Sequence, residues 1–172
     1  AREEGYYELF LLELTTGMRR GEILALKWRD LNLKTGELHI SRQVLKGNGK
    51  VLISTPKTKS SNRMILLPTE MLELLAELKT RTDSEWIFPS PLDLSQPRHP
   101  SAVYHRFQKI LERANCKRVR FHDLRHTFAT MALENGMDIK TLSAMIGHVS
   151  AETTLNIYSH ITDTMQQQAA AR

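Results

Sequence analysis

The chain has a single cysteine, Cys116, and so no second thiol with which to close an internal disulfide or build a zinc site. A reduced compartment is the expectation. No apolar run approaches the ~20 residues that a bilayer span requires, and the opening "AREEGYYELF" lacks the charged-then-apolar layout of a secretory signal. These absences point to a cytoplasmic protein with no membrane partner. There is no internal repeat, and 172 residues suit one well-buried domain rather than two. Acid is the last scarcity: between Glu37 and Glu70 there is none, while that stretch holds Arg42, Lys46, Lys50, Lys57, Lys59 and Arg63. Those six charges exceed the net charge of the whole chain, +5. Such a localised basic strip fits a polyanion such as a nucleic-acid backbone, with a solvated lysine-rich hairpin as the plain alternative.

What is present reads first as helix. "EEGYYELFLLELTTG" sets Tyr7, Leu11 and Leu14 at helical spacing, with Tyr6 and Phe10 beside them and Gly17 at the end. "RRGEILALKWRDLN" reads as a short second helix stopping near Asp30, with Arg19 at the junction. From Gly36 the text alternates: "GELHISRQVL", a tight turn "KGNGK", "VLIST", a polar loop "PKTKSSNR", then "MILLP". This predicts a three-stranded antiparallel meander, with Asn48-Gly49 supplying the positive φ of its first turn. "TEMLELLAELKTRT" puts Met71, Leu74, Leu75 and Leu78 on one face, with Thr69 as N-cap. A proline-spotted loop, "FPSPLDLSQPRHP", precedes the closing run of helices, in which Gly136 closes one helix and Ser150 opens the last. The fold class expected is mainly α with a small three-stranded antiparallel β-sheet.

Within that helical run, "FHDLRHTFAT" holds His122 and His126 at a metal-like spacing. It lacks the glutamate of the zinc-protease motif and sets a permanent cation, Arg125, against the site, so no metal is expected. At about 100° per residue, His122 and Arg125 occupy adjoining parts of one face, with Leu124, Phe128 and Met131 forming the core stripe on another. A histidine and an arginine near a helix start suit a phosphate, which a guanidinium grips by two parallel hydrogen bonds and the helix dipole favours. His126 reads as structural.

"TGMRRGEILAL", "HDLRHTFA", "IGH" and "TTLNIYSH" stand in the order and approximate spacing of the tyrosine recombinases, the phage-integrase family, which the chain resembles over nearly its whole length. Each motif alone is common; four in order are specific. The resemblance implies cleavage of double-stranded DNA by a tyrosine nucleophile with no cofactor, a 3′-phosphotyrosyl link and a 5′-hydroxyl leaving group. It places the family's first arginine on Arg19 and its His-x-x-Arg on His122 and Arg125. Its second histidine falls on His148 and its nucleophile on Tyr158, ten residues beyond the Gly-His pair. Glu22 matches the family's buttressing acid. The family lysine lies in the turn after the second strand, where Lys57 is preferred to Lys59 because it closes that strand; the alternative is that both merely touch phosphates.

These identities imply roles. Arg19 and Arg125 would hold the scissile phosphate, whose non-bridging oxygens gather charge in the transition state. Lys57 would protonate the leaving oxygen, His148 would donate to the phosphate, and His122 would take the proton of a phenol whose ordinary pKa is near ~10. Arg42, Lys46, Lys50, Lys59 and Arg63 would line the DNA backbone. The resemblance further implies a catalytic domain over residues 1–158 and a tail, 159–172, that docks on a neighbour in a homotetramer on DNA. The N-terminal core-binding domain usual in the family is expected to be absent from this chain. The rival readings are a non-catalytic DNA-binding domain of the same fold, a type IB topoisomerase, and a metal-dependent nuclease.

Overall fold

The computed structural model describes residues 5–47, 50–55 and 62–147. Six helices form there: α1 (Tyr7–Thr16), α2 (Arg20–Leu24), α3 (Thr69–Lys79), α4 (Pro100–Arg113), α5 (Phe121–Glu134) and α6 (Ile139–Ile146). Four short strands accompany them: β1 (Glu37–Ile40), β2 (Gln43–Lys46), β3 (Val51–Ser54) and β4 (Arg63–Leu66). The class is mainly α with small antiparallel sheet, as the sequence predicts. No described helix is long and apolar enough to cross a membrane.

The strand order differs from a meander. The first alternating stretch breaks at Ser41-Arg42, and its halves take different partners: Glu37 to Ile40 face Leu66 to Arg63, while Gln43 to Lys46 face Ser54 to Val51. The strands thus form two two-stranded sheets, β1 with β4 and β2 with β3, which share the first stretch. Burial explains the choice, because Leu38 and its partner Ile65 are both in the core, whereas Leu45, Leu52 and Ile53 on the outer hairpin remain exposed. The Gly47 N–H donates to the Lys50 carbonyl at 3.0 Å and draws that hairpin together. Asn48 and Gly49, expected in its turn, and Ser150, expected to cap the last helix, lie outside the described residues.

Helix α1 also departs from expectation. Leu9, Phe10 and Leu12 are buried, Leu14 is exposed, and Tyr7 and Leu11 are only half-buried. The helix packs against α2, α3 and α5, so it has no single apolar stripe to read. α2 ends at Leu24 rather than near Asp30; Lys27 turns extended, its N–H donates to Asp30 Oδ2 at 2.8 Å, and a 3-10 turn, Trp28–Asp30, follows. α3 is capped by Pro68 rather than Thr69, with the Pro68 carbonyl accepting from the N–H groups of Met71 and Leu72. In α5 the buried residues are Phe121, Arg125, Phe128 and Ala129, while Met131 is exposed. Arg125 therefore sits on the core stripe itself, one turn after Phe121 and just under one before Phe128, and not on a separate polar face. The site is built around that buried arginine.

Candidate active site

α1 ends because Gly17 enters the left-handed region at φ 62°, where its N–H returns to the Glu13 carbonyl at 2.7 Å. The same turn leaves the Gly17 carbonyl to accept from Arg125 Nη1 at 2.7 Å. A Cβ on Gly17 would lie 2.4 Å from Phe128 Cδ1, so glycine is required both by conformation and by space. Arg19, extended at φ −71° and ψ 143°, caps α2. Its own N–H donates to Glu22 Oε2 at 3.0 Å and its Nη1 to Glu22 Oε1 at 3.1 Å. One carboxylate thus satisfies the helix start and aims the arginine that precedes it.

Glu22 has a second partner. Arg63 of β4 donates Nη1 to Oε1 at 3.0 Å and Nη2 to Oε2 at 2.9 Å, while its Nε donates to the Met145 carbonyl at 2.7 Å. This side chain, expected on the DNA backbone, is only 7% exposed and turned inward. It ties β4 to α2 and to the end of α6. Arg42, also expected on the DNA backbone, pairs with Asp30 and is mostly covered. Lys46 and Lys50 do remain exposed.

α6 stops at Gly147, φ 65°, where a Cβ would meet Arg63 Nη1 at 2.7 Å. The Gly147 carbonyl accepts from both Arg19 Nη2, at 3.1 Å, and Arg125 Nη2, at 3.3 Å. Two arginines from separate helices therefore converge on one oxygen, in the residue directly before His148. His148 itself, Tyr158, and the two lysines of the polar loop, Lys57 and Lys59, lie outside the described residues.

Charge at the site is uneven. Burial, then the neighbouring positive charges of Arg19 and Arg63, brings Arg125 down to about 10, with Glu22 and Glu13 pulling the other way; it stays protonated at neutral pH. Burial works against the charge of Glu22, but the hydrogen bond and charge of Arg63, then those of Arg19, overcome it and hold the carboxyl below its ordinary value. His122, at the exposed start of α5, is lowered by burial of its ring and by the adjacent His126, Arg125 and Arg120, against a smaller opposing effect of Asp123. At neutral pH it is an uncharged proton acceptor. His126 packs edge-on against it, ring centroids 4.8 Å apart at 89°. Among the described residues no group of three histidine, cysteine or acidic side chains is placed to hold a metal ion.

One buried group escaped sequence reasoning. Glu13 is 1% exposed, and its Oε2 has no hydrogen-bond partner among the described residues. Burial pushes its carboxyl up to about 9, against the lowering influence of Arg20 and Arg125. The available signal was an acid in the otherwise apolar "LFLLEL" of a helix covered on several sides.

The helical domain thus brings two guanidinium groups onto one carbonyl oxygen, with His122 near enough to feel the charge of Arg125. Residues 3–165 match the model of the phage integrase family, and the chain belongs to that family. It is 33% identical to a tyrosine recombinase XerC-like protein of Caldanaerobacter subterraneus, over 94% of this chain and 47% of the relative. It is 25% identical to the ICEBs1 integrase of Bacillus subtilis, over 94% of this chain and 46% of that one. The chain thus spans about half the length of the curated relatives it matches. Its fold matches that of the Tn1549 transposon integrase, solved in complex with transposon right end DNA, with a TM-score of 0.80 at 24% identity over 97% of this chain and 59% of that one. The XerA recombinase matches with a TM-score of 0.72 at 26% identity, over 96% of this chain and 57% of that one.

Proposed function

We propose that this chain carries the catalytic centre of a site-specific DNA recombinase that cuts and rejoins strands through a 3′-phosphotyrosyl intermediate. The observation that carries this reading is the convergence of Arg19 and Arg125 on a single oxygen, 3.1 and 3.3 Å away, beside His122 and immediately before His148. The Tyr158 oxygen attacks the scissile phosphorus and His122 takes the phenolic proton. The bond to the 5′ oxygen breaks as Lys57 donates a proton to it. Arg19 and Arg125, with His148, stabilise the charge on the non-bridging oxygens, and Glu22 keeps Arg19 in place. Attack by a 5′-hydroxyl from a second strand then releases Tyr158 and reseals the backbone, so no external energy source enters.

Double-stranded DNA is the substrate, with Lys46, Lys50 and Lys59 toward its backbone. Residues 1–158 form the catalytic unit, and the tail from Ser159 docks on a neighbouring copy in a tetramer on DNA. Relatives named as integrases and recombinases support the reading. The test is adduct formation on a pool of nicked suicide duplexes with a randomised segment, with the covalently held DNA recovered and sequenced. A metal-independent adduct that disappears in Tyr158→Phe is expected; DNA binding with no Tyr158-dependent adduct would reduce the chain to a non-catalytic binding domain.

A further inference from the structure

Next to the arginine pair lies a cleft of about 600 Å³ between the ends of α1 and β2 and the starts of α2, α4 and α5. Its wall includes Arg20, Lys46, Arg120, Ser101, Glu13 and His122, so it borders the proposed centre at His122. Arg20 is half-buried, and no described residue accepts a hydrogen bond from its guanidinium; the Phe121 ring lies 5.6 Å from it, and Glu13 and Tyr104 are near enough to act on its charge. Arg19 beside it in sequence has Glu22; among the described residues Arg20 is hydrogen-bonded to no carboxylate, and burial lowers its pKa against the opposing influence of Glu13 and Tyr104. Lys46 is exposed on the opposite strand end, and Arg120, although paired with Asp123, is 79% exposed at the rim. Glu13 lines the same wall with an unpartnered oxygen, and with its carboxyl pushed up to about 9 it is a neutral hydrogen-bond donor at pH 7, not a competing anion.

We propose that this cleft seats a second backbone phosphate of the bound DNA, outside the catalytic clamp, gripped by Arg20 and Lys46. A guanidinium that is partly desolvated and lacks an acceptor gains most from an anion that fills its hydrogen-bonding positions. Arg20, Lys46 and Arg120 make the cleft wall positive, and the bordering centre proposed above places a phosphodiester within reach. The inference rests on the DNA reading above but not on cleavage.

The test is equilibrium binding of the whole chain to a 20-base-pair duplex of mixed sequence across a salt series. Arg20→Gln is expected to bind about tenfold more weakly, as for loss of a charge-assisted hydrogen bond. Its log–log salt slope should be shallower by about 0.9, the value for one phosphate contact. Arg20→Lys should restore the slope. Lys46→Gln, at an exposed strand end, should show the same loss of slope and decides the matter if Arg20→Gln does not fold. Unchanged slopes in folded variants overturn the proposal, as does weaker binding with wild-type slope, which would assign the cleft to a base or to packing. Failure of the Tyr158 adduct would leave these measurements readable, so the two proposals fail separately.

Discussion

Glu13 and Glu22 stand one on each side of the turn between α1 and α2, 1% and 2% exposed, and their carboxyls respond in opposite directions. Glu22 receives both arms of Arg63, one arm of Arg19 and the Arg19 N–H, and stays ionised in spite of burial. Glu13 has arginines near it but an Oε2 that no donor among the described residues reaches, and with its carboxyl pushed up to about 9 it is protonated at neutral pH. Burial alone therefore does not decide charge; directed hydrogen bonds do. The ionised acid holds Arg19 and Arg63 in place, and the neutral one adds no negative charge to the adjacent cleft.

The contrast can be broken most forcefully at Glu22. Glu22→Leu strands Arg63 in the core and frees Arg19 from its brace, and about 3–5 kcal/mol of stability should disappear in urea unfolding. Because the folded pKa of Glu22 is depressed, its stabilisation is present above the unfolded value of 4.5 and is lost as pH falls through the folded one. Arg125→Lys removes the fork that spans the Gly17 and Gly147 carbonyls, and single-turnover adduct formation should drop about 10²–10³-fold.

Glu13 tests the other side with opposite sign. Its folded pKa of about 9 lies above the unfolded 4.5, so across that window the native state holds a proton the unfolded chain has released, and stability declines as pH rises. Glu13→Gln should therefore stabilise the protein, by about 3 kcal/mol at pH 7 from the difference in proton affinity, with no gain below pH 4.5. A thermal-melt series from pH 4 to 9 reads this directly. The smallest effect belongs to His122. Since its pKa is lowered, the acid limb of the cleavage rate should fall below pH 6.5, and His126→Ala, which removes a neighbouring charge, should move that limb upward.

Much of the site was legible because its chemistry is local. Thr16 to Glu22 contain a helix end, a left-handed glycine, an N-cap and the acid three residues on; the helix end and its glycine follow from spacing along one segment, and Arg19 and Glu22 from the family motif. Arg63 was misplaced because its charge was counted with the lysines, although its acceptors, Glu22 and Met145, lie 41 and 82 residues away. Arg125 was put on a polar face because a helical wheel assigns charge to solvent, whereas Gly17 and Gly147 present carbonyls that admit it to the core. The sheet was misordered because alternation tells which face a side chain takes but not which strand lies beside it.

By itself the sequence determined the helices, the antiparallel strands, the family motifs and their order, since each depends on residues a few positions apart. Tertiary structure alone decided which cations face inward and which acid keeps its charge. Those outcomes depend on acceptors brought from distant segments, and a buried charge is stable only where such acceptors arrive.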